Sequence, residues 1–344
     1  MRFRASALAF VLVLSALAVA VPALAQAPVT LRFGHYQPRG PAVEGEGWFA
    51  EQVTKRTNGR VKIDVGWAES YGKARELPES VKSGAVDLAT VVPHFNPDPF
   101  PFHRLSPMPI FATDPVQDLE RQYQIASTVY RTAPFEQEMA KTFNAKPLFQ
   151  QLIAPYWALG KTPGCSASVF QGKKVRTLGA DVPKMFSAVG AVPVSLTTPE
   201  LYEALQRGTV DYLSIPTTHM RTLKLHEVGK HACGPVFMLT MGHTTAINLD
   251  TWKKLAPDVQ KIILDVAKDA EKFYLDHLKK TEQADQDSLK AAGTQLTRLP
   301  AADVAEWKRK SPDFLATWVN DMKGKGFGRE ADQVAQQIRA ILAK

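Results

Sequence analysis

The chain is poor in features that mark several protein classes. It has two cysteines in 344 residues, Cys165 and Cys233, and no Cys-x-x-Cys. That spacing resembles no cysteine-built metal site. After residue 25 no apolar run approaches the roughly 20 residues that a bilayer span takes. There is no Gly-x-Ser-x-Gly, no P-loop and no Gly-x-Gly-x-x-Gly. His226-Glu227-Val228-Gly229-Lys230-His231 sets its histidines five apart, off a common helix face, so it is not a zinc-protease motif. No cofactor and no metal are implied, and each absence lowers the expectation of an enzyme. The formal charge is +8, but Lys and Arg are interleaved with acids, as in Lys279-Lys280-Thr281-Glu282. A nucleic-acid surface would cluster them. No internal repeat is evident.

The start of the chain does carry a signal. Arg2 and Arg4 precede an apolar run over residues 8–21, and Ala23-Leu24-Ala25 follows as an A-x-A cleavage site. This reads as a signal peptide over residues 1–25, with a mature chain from Gln26 in the periplasm. A retained anchor is the alternative, and the run is short for one. Without Arg2 and Arg4 the charge is +6, a balance that mildly favours an anionic small ligand. An exported chain meets an oxidising compartment, so Cys165 and Cys233 are candidates for a disulfide, with two free buried thiols as the alternative. Hydrophobic content of 45% indicates a globular chain, long enough for two domains.

The most informative stretch is residues 172–216. Lys173-Lys174-Val175-Arg176-Thr177 alternates as a short strand, with Val175 toward a core and Arg176 the other way. Thr197-Thr198-Pro199-Glu200 has the hydroxyl N-cap and early proline of a helix start, and Gly208 stops that helix. Residues 210–215 read as another strand, ended by Pro216. The unit alternates strand and helix, the pattern of an α/β layer. Upstream, residues 29–34 and 61–65 alternate as strands, residues 46–56 and 76–82 read as helices, and residues 86–92 suit a strand buried on both faces. Residues 94–109 form a loop rich in Pro and Phe. Residues 119–143 read as one helical stretch, and 148–152 as a strand. Residues 257–293 carry apolar side chains at helical spacing and predict one helix of roughly 50 Å.

These motifs carry a resemblance. Gly172-x-Lys174-x-Arg176, Gly190-Ala191-x-Pro193-Val194 and Pro199-Glu200-x-Tyr202-x-Ala204-Leu205-Gln206-x-Gly208-x-Val210-Asp211 resemble the solute-binding subunit of tripartite ATP-independent periplasmic (TRAP) transporters, the DctP-type family. Leu31 to His35, Asn58-Gly59-Arg60-Val61, Tyr71-Gly72 and Val81 to Leu88 match as well, so the resemblance covers nearly the whole mature chain. It implies a hinged, two-lobe α/β periplasmic binding protein with a long helix shared by the lobes. Lobe I is expected over 28–155 plus about 240–275, and lobe II over 156–239 plus about 276–344. The chain would capture a small organic acid by closure and deliver it to membrane permease subunits as a monomer. A periplasmic sensor subunit and an exported hydrolase are the alternatives.

The resemblance places Arg176 on the position that grips a ligand carboxylate, a task suited to a planar guanidinium. Tyr36, His94 and Phe95 lie on loops after strands, where α/β proteins bind ligands. Trp157, Thr198, Ser214 and Thr217 complete the expected ligand set. Two departures matter. Ile215 stands where many members have Asn, and residues 156–161 lack a second Arg. Both point to a less polar pocket and to an aromatic or otherwise apolar monocarboxylate over a C4-dicarboxylate, unless Lys161, His94 or His219 supplies a second positive charge.

Overall fold

The computed structural model describes residues 28–344. The proposed signal peptide over residues 1–25 lies outside the described residues. Among these, no helix is long and apolar enough to cross a membrane.

In chain order the elements are β1 (Val29–Gly34), α1 (Glu44–Arg56), β2 (Val61–Gly66), α2 (Leu77–Ser83), β3 (Leu88–Val91), α3 (Leu119–Val129), α4 (Ala133–Phe143) and β4 (Ala145–Leu152). They continue with β5 (Tyr156–Gly160), β6 (Lys174–Thr177), α5 (Val182–Ser187), β7 (Val192–Ser195), α6 (Leu201–Gln206), β8 (Tyr212–Pro216), α7 (Thr217–Thr222) and β9 (His231–Gly234). The chain ends through β10 (Met241–Asn248), α8 (Leu249–Lys254), α9 (Pro257–Ala291), β11 (Gln295–Arg298), α10 (Ala301–Lys310), α11 (Phe314–Gly324) and α12 (Gly328–Leu342).

Two mixed sheets result. One has the order β2-β1-β3-β10-β4, the other β11-β9-β5-β8-β6-β7. In the first, β1 runs parallel to β2 and β3, while β10 runs antiparallel to β3 and β4. In the second, β6 runs parallel to β7 and β8, and β5 antiparallel to β8 and β9. β3 is buried along its whole length, as its continuous apolar run requires. The chain passes between the sheets in two adjacent segments, 153–155 and 235–240. Ile153 donates to the Thr240 carbonyl at 2.9 Å and Val236 to the Tyr156 carbonyl at 2.7 Å, which ties these crossings together.

The third crossing is α9, whose 35 residues span about 50 Å. It buries Val259, Ile263, Val266, Ala270, Tyr274 and Leu278 on one face, four of them over the first half. That half packs on α1 and β4; the second half packs on α7 and β11. Buried acids fasten it. Glu271 pairs with Arg131 at 2.6 Å. Glu282 accepts from Thr217, and Asp285 from Thr218 and Arg221.

Two expectations need correction. Residues 119–143 form two helices rather than one. The chain breaks after α3, and Pro134 opens α4, where its missing N–H costs no helical bond. Residues 301–344 were assigned to the second lobe, and their packing is divided. Trp307 of α10 does pack there, among Phe170 and Phe186, with Nε1 donating to the Met185 carbonyl at 2.6 Å. By contrast, Trp318 of α11 donates to the Pro101 carbonyl at 2.9 Å, and α12 packs on α3, both beside the first sheet. The indole at 318 needs a buried acceptor, and the 101–105 turn supplies it.

Candidate functional site

Arg176 leaves β6 between Leu213 of β8 and Val194 of β7. Its neighbour Val175 is fully buried, and so is Arg176 itself, at 2% exposure. Nε donates to the Leu196 carbonyl at 3.1 Å and Nη1 to the Ser214 carbonyl at 2.8 Å. Among the described residues no carboxylate forms an ion pair with it, and its second terminal nitrogen has no hydrogen-bond acceptor. Burial pulls the guanidinium below its ordinary pKa, opposed by Tyr156, Tyr36 and Glu200. A buried cation held only by carbonyl dipoles is expensive unless a counter-anion completes it.

The groups around it come from both sheets. Tyr36 follows β1, is buried, and stands edge-on to Phe95 at 5.7 Å. Its hydroxyl accepts from Gln37 Nε2 at 2.7 Å. Burial raises its pKa, with the Gln37 bond and Arg176 opposing. His94 sits in the 3-10 turn Pro93–Phe95 after β3, with Nδ1 unpartnered. Tyr156 of β5 is pushed up to about 12 by burial, against the pull of Arg176. His219 of α7 is lowered to about 3 by burial first, then by Arg176 and His243. Burial, then Arg176 and His243, also hold His94 well below the usual histidine value. These imidazoles are therefore neutral hydrogen-bonding groups near neutral pH.

Two hydrogen bonds join the sheets over Arg176. His219 Nε2 lies 3.0 Å from Gln37 Oε1, and Gly179 N–H donates to the His94 carbonyl at 3.0 Å. Gly179 has φ +71 and lies against His94 and Pro107, so a side chain there would be strained and crowded. Surface cavities lie elsewhere on the molecule. One of about 390 Å³ is lined by Pro109 to Ala112, α11 and α12, and holds no buried charge of this kind.

The other expected residues are placed as follows. Ser214 is buried with Oγ unpartnered, and its carbonyl binds Arg176. Thr198 is buried beside the Thr197–Glu200 capping box, just past Leu196. Thr217 is held away from the expected role: its hydroxyl donates to Glu282 at 2.7 Å, which ties α7 to α9. Trp157 packs among Leu213, Ile215 and Met220 in the core of the second sheet. Strand alternation sends Tyr156 to the opposite face, and Tyr156 is the aromatic coupled to Arg176. Lys161 is exposed and donates to the Gln206 carbonyl, so it supplies no second cation. Cys165 and Cys233 are joined as a disulfide across 68 residues.

Sequence reading missed Gln37 and a buried trio on the first sheet. His35, Glu46 and His243 are fully buried, and one donor atom from each lies within 4.8 Å of the other two. Positions 35, 46 and 243 are far apart in sequence, so no local spacing could announce them.

Fold and site define a two-sheet α/β protein with three crossings and a buried cation between the sheets, the organisation of a hinged binding protein. The chain belongs to the bacterial extracellular solute-binding protein family 7, whose model matches residues 33–320. It is 27% identical over 325 residues to the C4-dicarboxylate-binding periplasmic protein DctP of Rhodobacter capsulatus, covering 91% of this chain and 92% of that protein. The structure resembles that of a TRAP periplasmic solute-binding protein from Desulfovibrio salexigens with bound orotic acid, at TM-score 0.79 and 23% identity, covering 91% and 99% of the two chains. It also resembles a TRAP solute-binding protein from Rhodoferax ferrireducens in complex with copurified benzoate, at TM-score 0.79 and 23% identity, covering 92% and 98%.

Proposed function

We propose that this protein captures a small organic acid between its two lobes and delivers it to the membrane permease of a TRAP transporter. The observation that carries the reading is Arg176, a buried guanidinium with no carboxylate ion pair among the described residues. A ligand carboxylate supplies the missing anion through a bidentate contact. Lobe I comprises residues 28–155 plus about 240–275, and lobe II 156–239 plus about 276–344, with the terminal helices reaching back toward lobe I. Closure stacks Tyr36 and His94 of one lobe on Arg176 and His219 of the other. The ligand makes its full set of contacts only when the lobes are closed, so it shifts the population that way. The protein acts as a monomer in the periplasm after loss of residues 1–25, and it does no chemistry on the ligand.

The preferred ligand is an aromatic monocarboxylate. Tyr36, Phe95 and Tyr156 give the surroundings of Arg176 an aromatic character, and the imidazoles near Arg176 are held neutral by burial. A second ligand carboxylate would be buried without a matched cation. The orotate and benzoate complexes of the structural relatives support this choice, whereas the name of the Rhodobacter relative favours the dicarboxylate. Calorimetry of benzoate and mandelate against succinate and malate decides it. Tighter dicarboxylate binding shows that His94 or His219 charges in the complex and overturns the monocarboxylate reading.

A further inference from the structure

We propose that His35, Glu46 and His243 form a binding site for a zinc-like divalent cation in the floor of lobe I, behind the carboxylate pocket. Three observations meet there. The residues are fully buried, and their donor atoms cluster within 4.8 Å. His35 Nε2 has no hydrogen-bond partner among the described residues, which is a costly condition for a buried polar atom. Glu46 is a buried carboxylate with no Lys or Arg ion pair among the described residues. Its contacts are His243 Nε2 at 2.6 Å and the Tyr274 hydroxyl.

The donor set is two imidazoles and a carboxylate. Zinc and its transition-metal neighbours take that set with one position open, whereas calcium and magnesium ask for six or more oxygens. Supporting contacts are in place. His35 Nδ1 accepts from the Gln37 N–H at 3.0 Å, which fixes the ring and puts its proton on Nε2 before an ion binds. The ion takes that proton's place as it is released or moves to Nδ1, 3.3 Å from the Gln37 carbonyl. Tyr274 orients the second oxygen of Glu46. Two ligands each about 2.0–2.1 Å from a tetrahedral ion are about 3.3 Å apart. The Glu46–His243 contact therefore opens by less than an ångström as the ion enters.

The site lies within one lobe, so the cation binds without closure. It would pin the end of β1, from which Tyr36 and Gln37 reach toward Arg176 and His219. That consequence for affinity rests on the carboxylate reading; the cation site itself does not.

The test uses the mature protein stripped with a chelator and titrated with zinc chloride, with no organic acid present. Calorimetry and elemental analysis should give one equivalent bound, and the melting temperature should rise with zinc. His35→Gln and Glu46→Gln should each weaken binding at least about tenfold. The partly exposed His226→Gln and His231→Gln should not. Cobalt(II) added to the unmodified protein should give the visible absorption of a tetrahedral site, which keeps the test sound if a variant fails to fold. Absence of a stoichiometric equivalent overturns the proposal, and so does an equivalent that survives both His35→Gln and Glu46→Gln. Carboxylate affinity measured in chelator separates failure of this site from failure of the binding function.

Discussion

Replacing Arg176 with Met separates the ligand's anchor from a structural tie. The substitution removes the guanidinium and its bonds to the Leu196 and Ser214 carbonyls, and roughly keeps the side-chain volume. Each unmet carbonyl costs about 1–3 kcal/mol. Against this, the folded protein no longer buries a cation without a counter-charge, a relief of several kcal/mol. The two effects nearly cancel, so the melting temperature of ligand-free protein should stay within about 5 °C of the parent. Affinity should fall much further. Loss of a buried charge-assisted contact costs about 2–5 kcal/mol, or about 30-fold at the least. Arg176→Lys keeps a charge but loses the fork, and should fall between. Calorimetry with benzoate, paired with thermal melts, reads both quantities. Unchanged affinity in a folded Arg176→Met protein refutes the assignment. A large drop in melting temperature with affinity intact would make Arg176 a structural tie between β6 and β8.

Three further outcomes are expected. Reducing the Cys165–Cys233 bridge, or replacing both with Ser, should lower stability by about 4 kcal/mol on the chain-entropy estimate, read by urea melts; equal midpoints for the oxidised and reduced protein would show no such contribution. His219 is neutral in the fold with its pKa lowered to about 3, so its contribution is full above the ordinary value near 6.5 and drains away as pH falls toward 3. Moving from pH 7 to pH 5 should cost up to about 2 kcal/mol for this group, and His219→Gln should flatten that slope. Gln37→Leu removes the bond to His219 across the lobes and should weaken ligand binding about fivefold, with little change in ligand-free stability.

The strand and helix order over residues 172–216 was readable because each boundary had its own chemical mark. Thr197 and Glu200 form the capping box, and Gly208 takes the left-handed conformation expected after a helix. The extent of α9 was readable from period alone, since a long amphipathic face repeats its signal many times. Short elements gave no such signal. β11 has four largely exposed residues and exists because β9 offers it an edge. At the candidate site, Arg176 was singled out by its strand motif, while the sequence reading took Trp157 rather than its neighbour Tyr156. They are adjacent and aromatic, and only the register of β5 against β8 decides which one meets Arg176. Thr217 was misplaced for a related reason. A hydroxyl at a strand end is equally suited to a ligand or to Glu282, and the path of α9 decides between them.

Burial of charge is not by itself the mark of function here, and comparison within the molecule shows why. Asp181 is fully buried, yet Arg104 and Lys184 both reach it. Glu138 is buried, yet it accepts from the Phe102 and His103 backbone N–H groups at 2.6 and 3.0 Å and from His103 Nδ1 at 2.6 Å. Such groups hold loops in place and ask nothing of a ligand. Arg176 differs in sign of balance: its hydrogen-bond contacts are dipoles, and among the described residues no carboxylate forms an ion pair with it. A fold that keeps a cation in that condition gives up stability at the seam between its lobes. In the proposed binding mode the same cost would become binding energy once an anion arrives, because the anion would relieve it only where both lobes can touch it. On that proposal affinity and closure would be one event, driven from a single side chain.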